Sequence, residues 1–297
     1  MYVRRTSTAR NELAVNGVRF PLRAEREPPL GDWRDFVRGA IGELLASGTG
    51  VSGGELTIES NLPQGVGLAS SAALSVALCL ALGGDSGDRV GLAKLCSRIE
   101  NDWVGARTGL LDQLASLLAR EGQAVRLDFR SLDVRHVPLR LGGWRLAVVD
   151  SGERRALATS GYNERRAECE RACGLLGIDS LREIDSARDL PPPLDRRVGH
   201  VIGENARVDT TVAALECGDL AEVAACVDAS HASLRDLYDA STPAVERTVE
   251  RLKAAGAAGA RMIGGGFGGQ VLALFPPGVA AVGRAVAPGP GARVVAG

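Results

Sequence analysis

The sequence predicts an α+β protein of two domains, and three observations point that way. Residues 55–82 read as strand, glycine loop and helix in direct succession. The rest of the first half alternates short strands with amphipathic helices. The second half is mostly helical and reaches a strand, Gln270–Phe275, only after a run of glycines. A chain of 297 residues can bury two cores. The loop between two candidate strands, Ala124–Asp128 and Arg145–Asp150, puts the boundary near residue 140. This gives a mixed sheet with helices over 1–140 and an α+β unit over 141–297.

Taken in order, Tyr2–Thr6 is a strand end, Leu13–Leu22 a second strand, and the prolines after it a turn. Asp32 can cap a helix in which Trp33, Phe36, Val37, Ala40, Ile41, Leu44 and Leu45 form one apolar face. Glu55–Ser60 alternates polar and apolar residues, as a half-buried strand does. Ala72–Leu82 is rich in Ala and Leu and reads as a buried helix. A further helix is expected from Val90 to about Val104, then a glycine break at Gly105 and Gly109, then a helix opened by Leu110-Leu111-Asp112-Gln113. In the second half, Tyr162–Leu176, Arg196–Glu216, Leu220–Tyr238 and Pro243–Ala255 keep the helical period. The last twenty residues carry little signal.

The chemistry concentrates in Asn61 to Leu74. Gly65 and Gly67 let the backbone turn sharply and clear side chains from a close ligand. Ser70 and Ser71 stand where the helix begins, beside free N–H groups and the positive end of the helix dipole. Such a helix mouth binds anions, phosphate above all. A Walker-type loop would need Gly-Lys-Ser/Thr, yet the chain's two lysines, Lys94 and Lys253, lie elsewhere. A dinucleotide fingerprint would need glycine where Ser70 stands. What remains is a loop that holds phosphate with amides and hydroxyls, or else a glycine turn before a core helix.

Composition narrows the class. A net charge of −1 leaves no electrostatic footprint for nucleic acid. The longest apolar run is too short to cross a bilayer, and the first residues lack a signal peptide's apolar core. Six scattered cysteines offer no zinc spacing. A reduced cytoplasmic enzyme, acting as a monomer on small molecules, is expected.

The loop pattern P-x-G-x-G-L-x-S-S-A-A resembles the ATP loop of the GHMP small-molecule kinases. Further stretches resemble the galactokinases within that family. Ile99 to Gly105 and Gly109-Leu110-Leu111-Asp112-Gln113 are similar to an E-x-x-F-x-G-x-x-C-G-I-M-D-Q run, with Arg107-Thr108 replacing a small residue and Cys. Tyr162-Asn163-Glu164-Arg165-Arg166 resembles Y-N-x-R-R, and Met262 to Gly269 resembles a G-x-G-F-G-G loop. The His200–Arg207 and Ser230–Asp236 runs also look like galactokinase.

The resemblance implies a two-domain GHMP kinase fold and transfer of the γ-phosphoryl of ATP, with Mg2+, to the anomeric hydroxyl of galactose. It implies that Gly65, Val66, Gly67, Leu68, Ala69, Ser70 and Ser71 hold the nucleotide's phosphates, and that Trp33 and Phe36 form the adenine pocket; alternatively those two rings are core. It implies that Ser70 and Glu100 hold Mg2+; a solvated face is the plainer reading of Glu100. Asp112 would face the sugar hydroxyl, as base or as orienting group, desolvated among leucines; a helix cap is the alternative. Gly109 and Tyr162 would touch the sugar, and Gly264, Gly265 and Gly266 would approach the substrates with bare backbone. His136, His200 and His231 read as structural, and Glu164–Arg171 as a solvated face.

The family's early G-R-V-N-L-I-G-E-H-T-D-Y motif has no counterpart before the loop, and Tyr2–Arg5 matches a later strand. Several tens of N-terminal residues are therefore expected to be absent. The arginine of that motif is a charge donor whose loss costs about two to three orders of magnitude in rate. An unpaired sheet edge would follow. Two other readings stand beside the enzyme: a catalytically impaired remnant or sensor that binds sugar or nucleotide, and a GHMP kinase for another small alcohol.

Overall fold

In a computed structural model the described residues are 1–7, 12–62, 68–85, 87–106, 108–153, 158–186 and 189–295. Four strands build the first sheet: β1 (Tyr2–Ser7), β2 (Glu12–Val15), β3 (Val18–Pro21) and β4 (Gly54–Glu59), in the order β1-β4-β2-β3. β4 runs antiparallel to β1 and parallel to β2, with Val3 opposite Ile58 and Val15 opposite Leu56. The single strand expected over Leu13–Leu22 is instead the β2–β3 hairpin. Asn16 and Gly17, at φ 47° and 82°, supply the left-handed pair that a two-residue turn demands.

Helices α1 (Trp33–Ala46), α2 (Ser70–Ala81), α3 (Arg89–Arg98) and α4 (Leu111–Leu118) cover this sheet. Leu13, Leu56, Val37, Ile41, Leu44, Val76, Leu78, Ile99 and Leu114 share one buried cluster. Asp32 caps α1 as expected, accepting from the Arg34 amide at 2.9 Å. The helix expected to run on to Val104 breaks: α3 gives way to a turn of π-helix over Ile99–Val104, closed by Gly105 in the left-handed region. This turn lies tight on α1. A Cβ on Gly42 would come within 2.4 Å of the Trp103 ring, and one on Gly39 within 2.7 Å of Ile99. Trp103 Nε1 donates to Glu43 at 3.0 Å, and Arg98 Nε to the same carboxylate at 2.6 Å.

The segment between the strands near 124 and 145 is not a bare loop. β5 (Gln123–Leu127) pairs with β6 (Val134–Pro138) as a separate hairpin, whose Val137 and Ala124 pack with helices of the second half. The second sheet has the order β10-β7-β9-β8, from β7 (Arg145–Asp150), β8 (Gly259–Met262), β9 (Gln270–Phe275) and β10 (Arg284–Val286), all antiparallel. Helices α5 (Ala158–Leu176), α6 (Leu194–Cys217), α7 (Leu220–Asp236) and α8 (Pro243–Ala254) complete this half. Beyond β10 the chain returns to the first half. The Gly291 and Ala292 amides donate to Ala119 O and Ser116 O at the end of α4, and Ala292 O accepts from Arg89. Among the described residues no helix is long and apolar enough to cross a membrane.

Candidate active site

Helix α2 opens as an anion site should. Ala69, in the N-cap position, holds φ 53° and ψ 34°, and no side chain among the described residues caps the helix. A left-handed alanine is strained by roughly 1–2 kcal/mol, a feature that persists where the surroundings fix it. Ser70 and Ser71 occupy the first turn. Leu68, Ala69, Ser70 and Ser71 of the expected loop are therefore at the helix mouth; Gly65, Val66 and Gly67 lie outside the described residues.

Glu100 joins this helix mouth to the start of α4. Its side chain is only 2% exposed. One carboxylate oxygen accepts from Gln113 Nε2 at 2.9 Å; the other accepts from Thr108 Oγ1 at 3.0 Å and, more weakly, from Ser71 Oγ at 3.4 Å. Burial pushes its carboxyl above the ordinary range, and the negative charge of Asp112 pushes the same way; the Thr108 and Gln113 hydrogen bonds oppose them. The solvated-face alternative for Glu100 is thus excluded. The π-turn turns this side chain inward, and periodicity cannot foretell such a turn.

Asp112 is the second residue of α4, where the N-cap position belongs to Leu110, so the helix-cap alternative falls away. Its expected desolvation does not hold either: Asp112 is exposed, as is its neighbour Leu111. The buried face of this short helix is Gln113, Leu114 and Leu117. The residue before Gln113 is rotated out of that face. An acid in the first turn of a helix interacts favourably with the dipole. Gly109 is exposed, and a Cβ there would meet nothing within 4 Å.

Trp33 is partly exposed at the start of α1 and meets Phe20 edge-to-face, with centroids 6.0 Å apart. Phe36 packs half-buried on the first core.

A second cluster forms where α5 meets the glycine loop. Tyr162 is partly exposed on α5, and a Cβ on Gly265 would come 3.1 Å from its ring. Gly161 lies under Phe267, so the start of α5 and the loop are in direct contact. The Phe267 amide donates to Ala240 O at 2.7 Å, and the Gly269 amide to Glu153 O at 3.1 Å. Gly266 needs its glycine: φ is 80°, and a Cβ would sit 2.8 Å from Ala240 O. Thr242 Oγ1 donates to the Glu153 carboxylate. The glycine run is thus fitted to the protein's own backbone on one side.

Behind this loop is a buried ionic network, and along Glu164–Arg171 the expected solvated face holds for Glu164, Arg166, Glu170 and Arg171 but not for two residues between them. Arg165 and Glu168 are both buried. Arg197, 2% exposed, donates to Glu168 at 2.6 Å, to Leu237 O at 2.6 Å and to Asp239 at 2.7 Å. Asp239 holds φ 47° next to Ala240, the acceptor of the Phe267 amide. Arg197, Asp239, Glu153 and Thr242 were not singled out from sequence. A signal existed for Arg197, which interrupts the apolar face formed by Leu194 and Val198. The histidines occupy packed positions: His136 Nε2 is 2.7 Å from Leu118 O, His200 Nδ1 is 2.8 Å from Ser233 Oγ and stacks on Tyr238, and His231 faces Glu246 at 3.1 Å.

Residues 35–120 match the family described as GHMP kinases N terminal domain, and residues 211–288 that described as GHMP kinases C terminal. A galactokinase of Thermotoga neapolitana is 39% identical over 260 residues, which cover 86% of this chain and 74% of that protein. The galactokinase of Mycobacterium tuberculosis is 40% identical over 280 residues, 91% of this chain and 77% of its own. The crystal structure of Lactococcus lactis galactokinase complexed with galactose is similar at a TM-score of 0.82 and 30% identity, over 92% of this chain and 76% of that one. Mevalonate kinase from L. major, at 19% identity and a TM-score of 0.60, shares the fold.

Proposed function

The chain belongs to the galactokinases of the GHMP kinase family, and from that premise we infer that it transfers the γ-phosphoryl group of ATP to the anomeric hydroxyl of galactose. The observation that carries the mechanism is the placement of Glu100. One buried carboxylate ties the mouth of α2 to the α4 turn bearing Asp112. On this reading phosphate, metal and sugar hydroxyl would take adjoining places.

Each group has a defined task. The first-turn amides of α2, with Leu68 to Ser71 and the glycines before them, receive the phosphate oxygens. Asp112 faces the attacking hydroxyl, orients it, and takes its proton as the new oxygen–phosphorus bond forms and the bond to the ADP oxygen breaks. Tyr162 offers a flat ring and a hydroxyl to the sugar beside the backbone of Gly264, Gly265 and Gly266, and Gly109 leaves open room before α4. Trp33 and Phe36 serve the adenine ring from α1.

The donor set near α2 suits Mg2+. It is all oxygen and contains one buried carboxylate, the kind of site that completes its shell with water and substrate phosphates. Glu100 and Ser70 would hold the ion, which neutralises charge on the transferring phosphates. The six free cysteines fit a reduced cytoplasmic setting, and a monomer suffices for this chemistry.

The test is direct. Purified protein with ATP, Mg2+ and a sugar panel should yield galactose 1-phosphate, seen by 31P NMR. ATP binding by calorimetry without any transfer would instead mark a nucleotide-binding remnant. Transfer to another alcohol alone would move the protein elsewhere in the family.

A further inference from the structure

Two sequence runs, His200–Arg207 and Ser230–Asp236, have no part in the transfer just described. Both border a cavity of about 240 Å3 between the β5–β6 hairpin and the α6–α7 pair. None of the residues assigned above to nucleotide, metal or sugar lines it.

Its polar end is a small charge cluster. Glu204 accepts from Arg207 Nε at 2.6 Å and from Ser230 Oγ at 2.6 Å, and Arg261 Nη2 lies 3.7 Å away. Two guanidiniums thus face one carboxylate. Arg126 does not change this balance, being paired with exposed Asp209 at 3.2 Å. Two buried histidines stand near Arg261 and both are neutral at pH 7, because burial pushes His200 down to about 4 and pushes His231 down as well. One positive charge remains uncompensated. Both guanidiniums line the cavity and keep accessible surface, the Arg207 side chain 24% and the Arg261 side chain 34%, so each can still receive an anionic group. The walls are aliphatic: Val125, Val137, Val212 and Leu215.

A positive end on an aliphatic cavity of this size selects its occupant. We propose that the cavity binds a small monocarboxylate with a short aliphatic chain, its charge received by Arg207 and Arg261 and its chain laid along the valines. Phosphate fits less well, because its second charge would have no partner against Glu204. The site has a mechanical neighbour: Arg261 stands on β8, which leads directly into the glycine loop at Gly264.

The test is titration calorimetry of the full chain with hexanoate, pentanoate and butanoate, and with 1-hexanol as the uncharged control. Hexanoate should bind one to one, with affinity weakening about fourfold for each methylene removed, and 1-hexanol should not bind detectably. Val125→Trp, which fills the cavity, and Arg207→Gln should each weaken hexanoate at least tenfold while circular dichroism stays native. If Arg207→Gln fails to fold, Val125→Trp decides alone. The proposal is overturned if wild type gives no saturable heat with hexanoate, if Val125→Trp binds it unchanged, or if 1-hexanol binds as well, which would reveal only an apolar void.

Discussion

Gln113 Nε2 donates to Glu100 Oε1 at 2.9 Å, so the residue next to Asp112 in sequence holds the carboxylate that faces α2. The pair fixes the relation between the two groups to which the proposed function gives the metal and the attacking hydroxyl, and it does so with both partners almost wholly buried.

Replacing Glu100 by Gln keeps the size and an acceptor for Gln113 but removes the charge, and the Thr108 and Ser71 hydroxyls must turn to accept from the new amide. We expect kcat to fall by about two to three orders of magnitude, the Mg2+ concentration for half-maximal rate to rise, and thermal stability to change little. Steady-state kinetics over a Mg2+ series reads all but the last, which a melting curve supplies.

Asp112→Asn should lower kcat by about two to four orders of magnitude and leave ATP affinity within a factor of two. Asp112 is exposed and Asn is nearly isosteric, so the variant should fold as the wild type does. Calorimetry with ATP beside a transfer assay separates binding from chemistry; comparable turnover in the variant would refute the role.

Gly266→Ala places a methyl where Ala240 O stands, on a backbone that L residues avoid. A loss of about 2 kcal/mol or more is expected, with a raised KM for galactose. Urea unfolding and sugar kinetics check the two parts. Arg197→Met should cost about 2–4 kcal/mol, since it removes the best-placed cation from buried Glu168 and leaves it to Arg165 alone, while half-exposed Asp239 keeps Arg165 and Arg196.

His200 gives a pH dependence with a definite sign. Its folded pKa lies at about 4, below the ordinary 6.5, because burial disfavours the charged ring. Between those values the unfolded chain binds the proton and the folded one does not. Stability should therefore fall as pH drops from about 6.5 to 4, by on the order of 3 kcal/mol in total. Urea unfolding at pH 7, 5.5 and 4.5 measures the slope, which His200→Asn should flatten.

Much of this was legible because local chemistry and global fold agree. Asp32 announces α1, the Ala-Leu run announces α2, and the motif order predicts both halves and their family. What stayed hidden has physical reasons. A π-turn has no periodic signature, so the inward aim of Glu100 could not be read. Arg165 and Glu168 look like surface charges until Arg197, some thirty positions later, is folded against them. The Asn16-Gly17 turn is hard to see in the sequence because the apolar residues around it continue smoothly. β6 is a short strand with polar residues breaking its alternation, and β10 is a three-residue strand whose partner, β7, lies more than a hundred positions earlier.

The return of Gly291 and Ala292 to the end of α4 means that the polypeptide passes between its two halves twice, once near the β5–β6 hairpin and once after β10. A single tether lets two bodies twist and slide freely. Two tethers leave essentially one soft motion, rotation about the line that joins them. On two tethers the expected relative motion of the halves is a swing about that line, with the end of α4 beside it and Asp112 at the helix's other end.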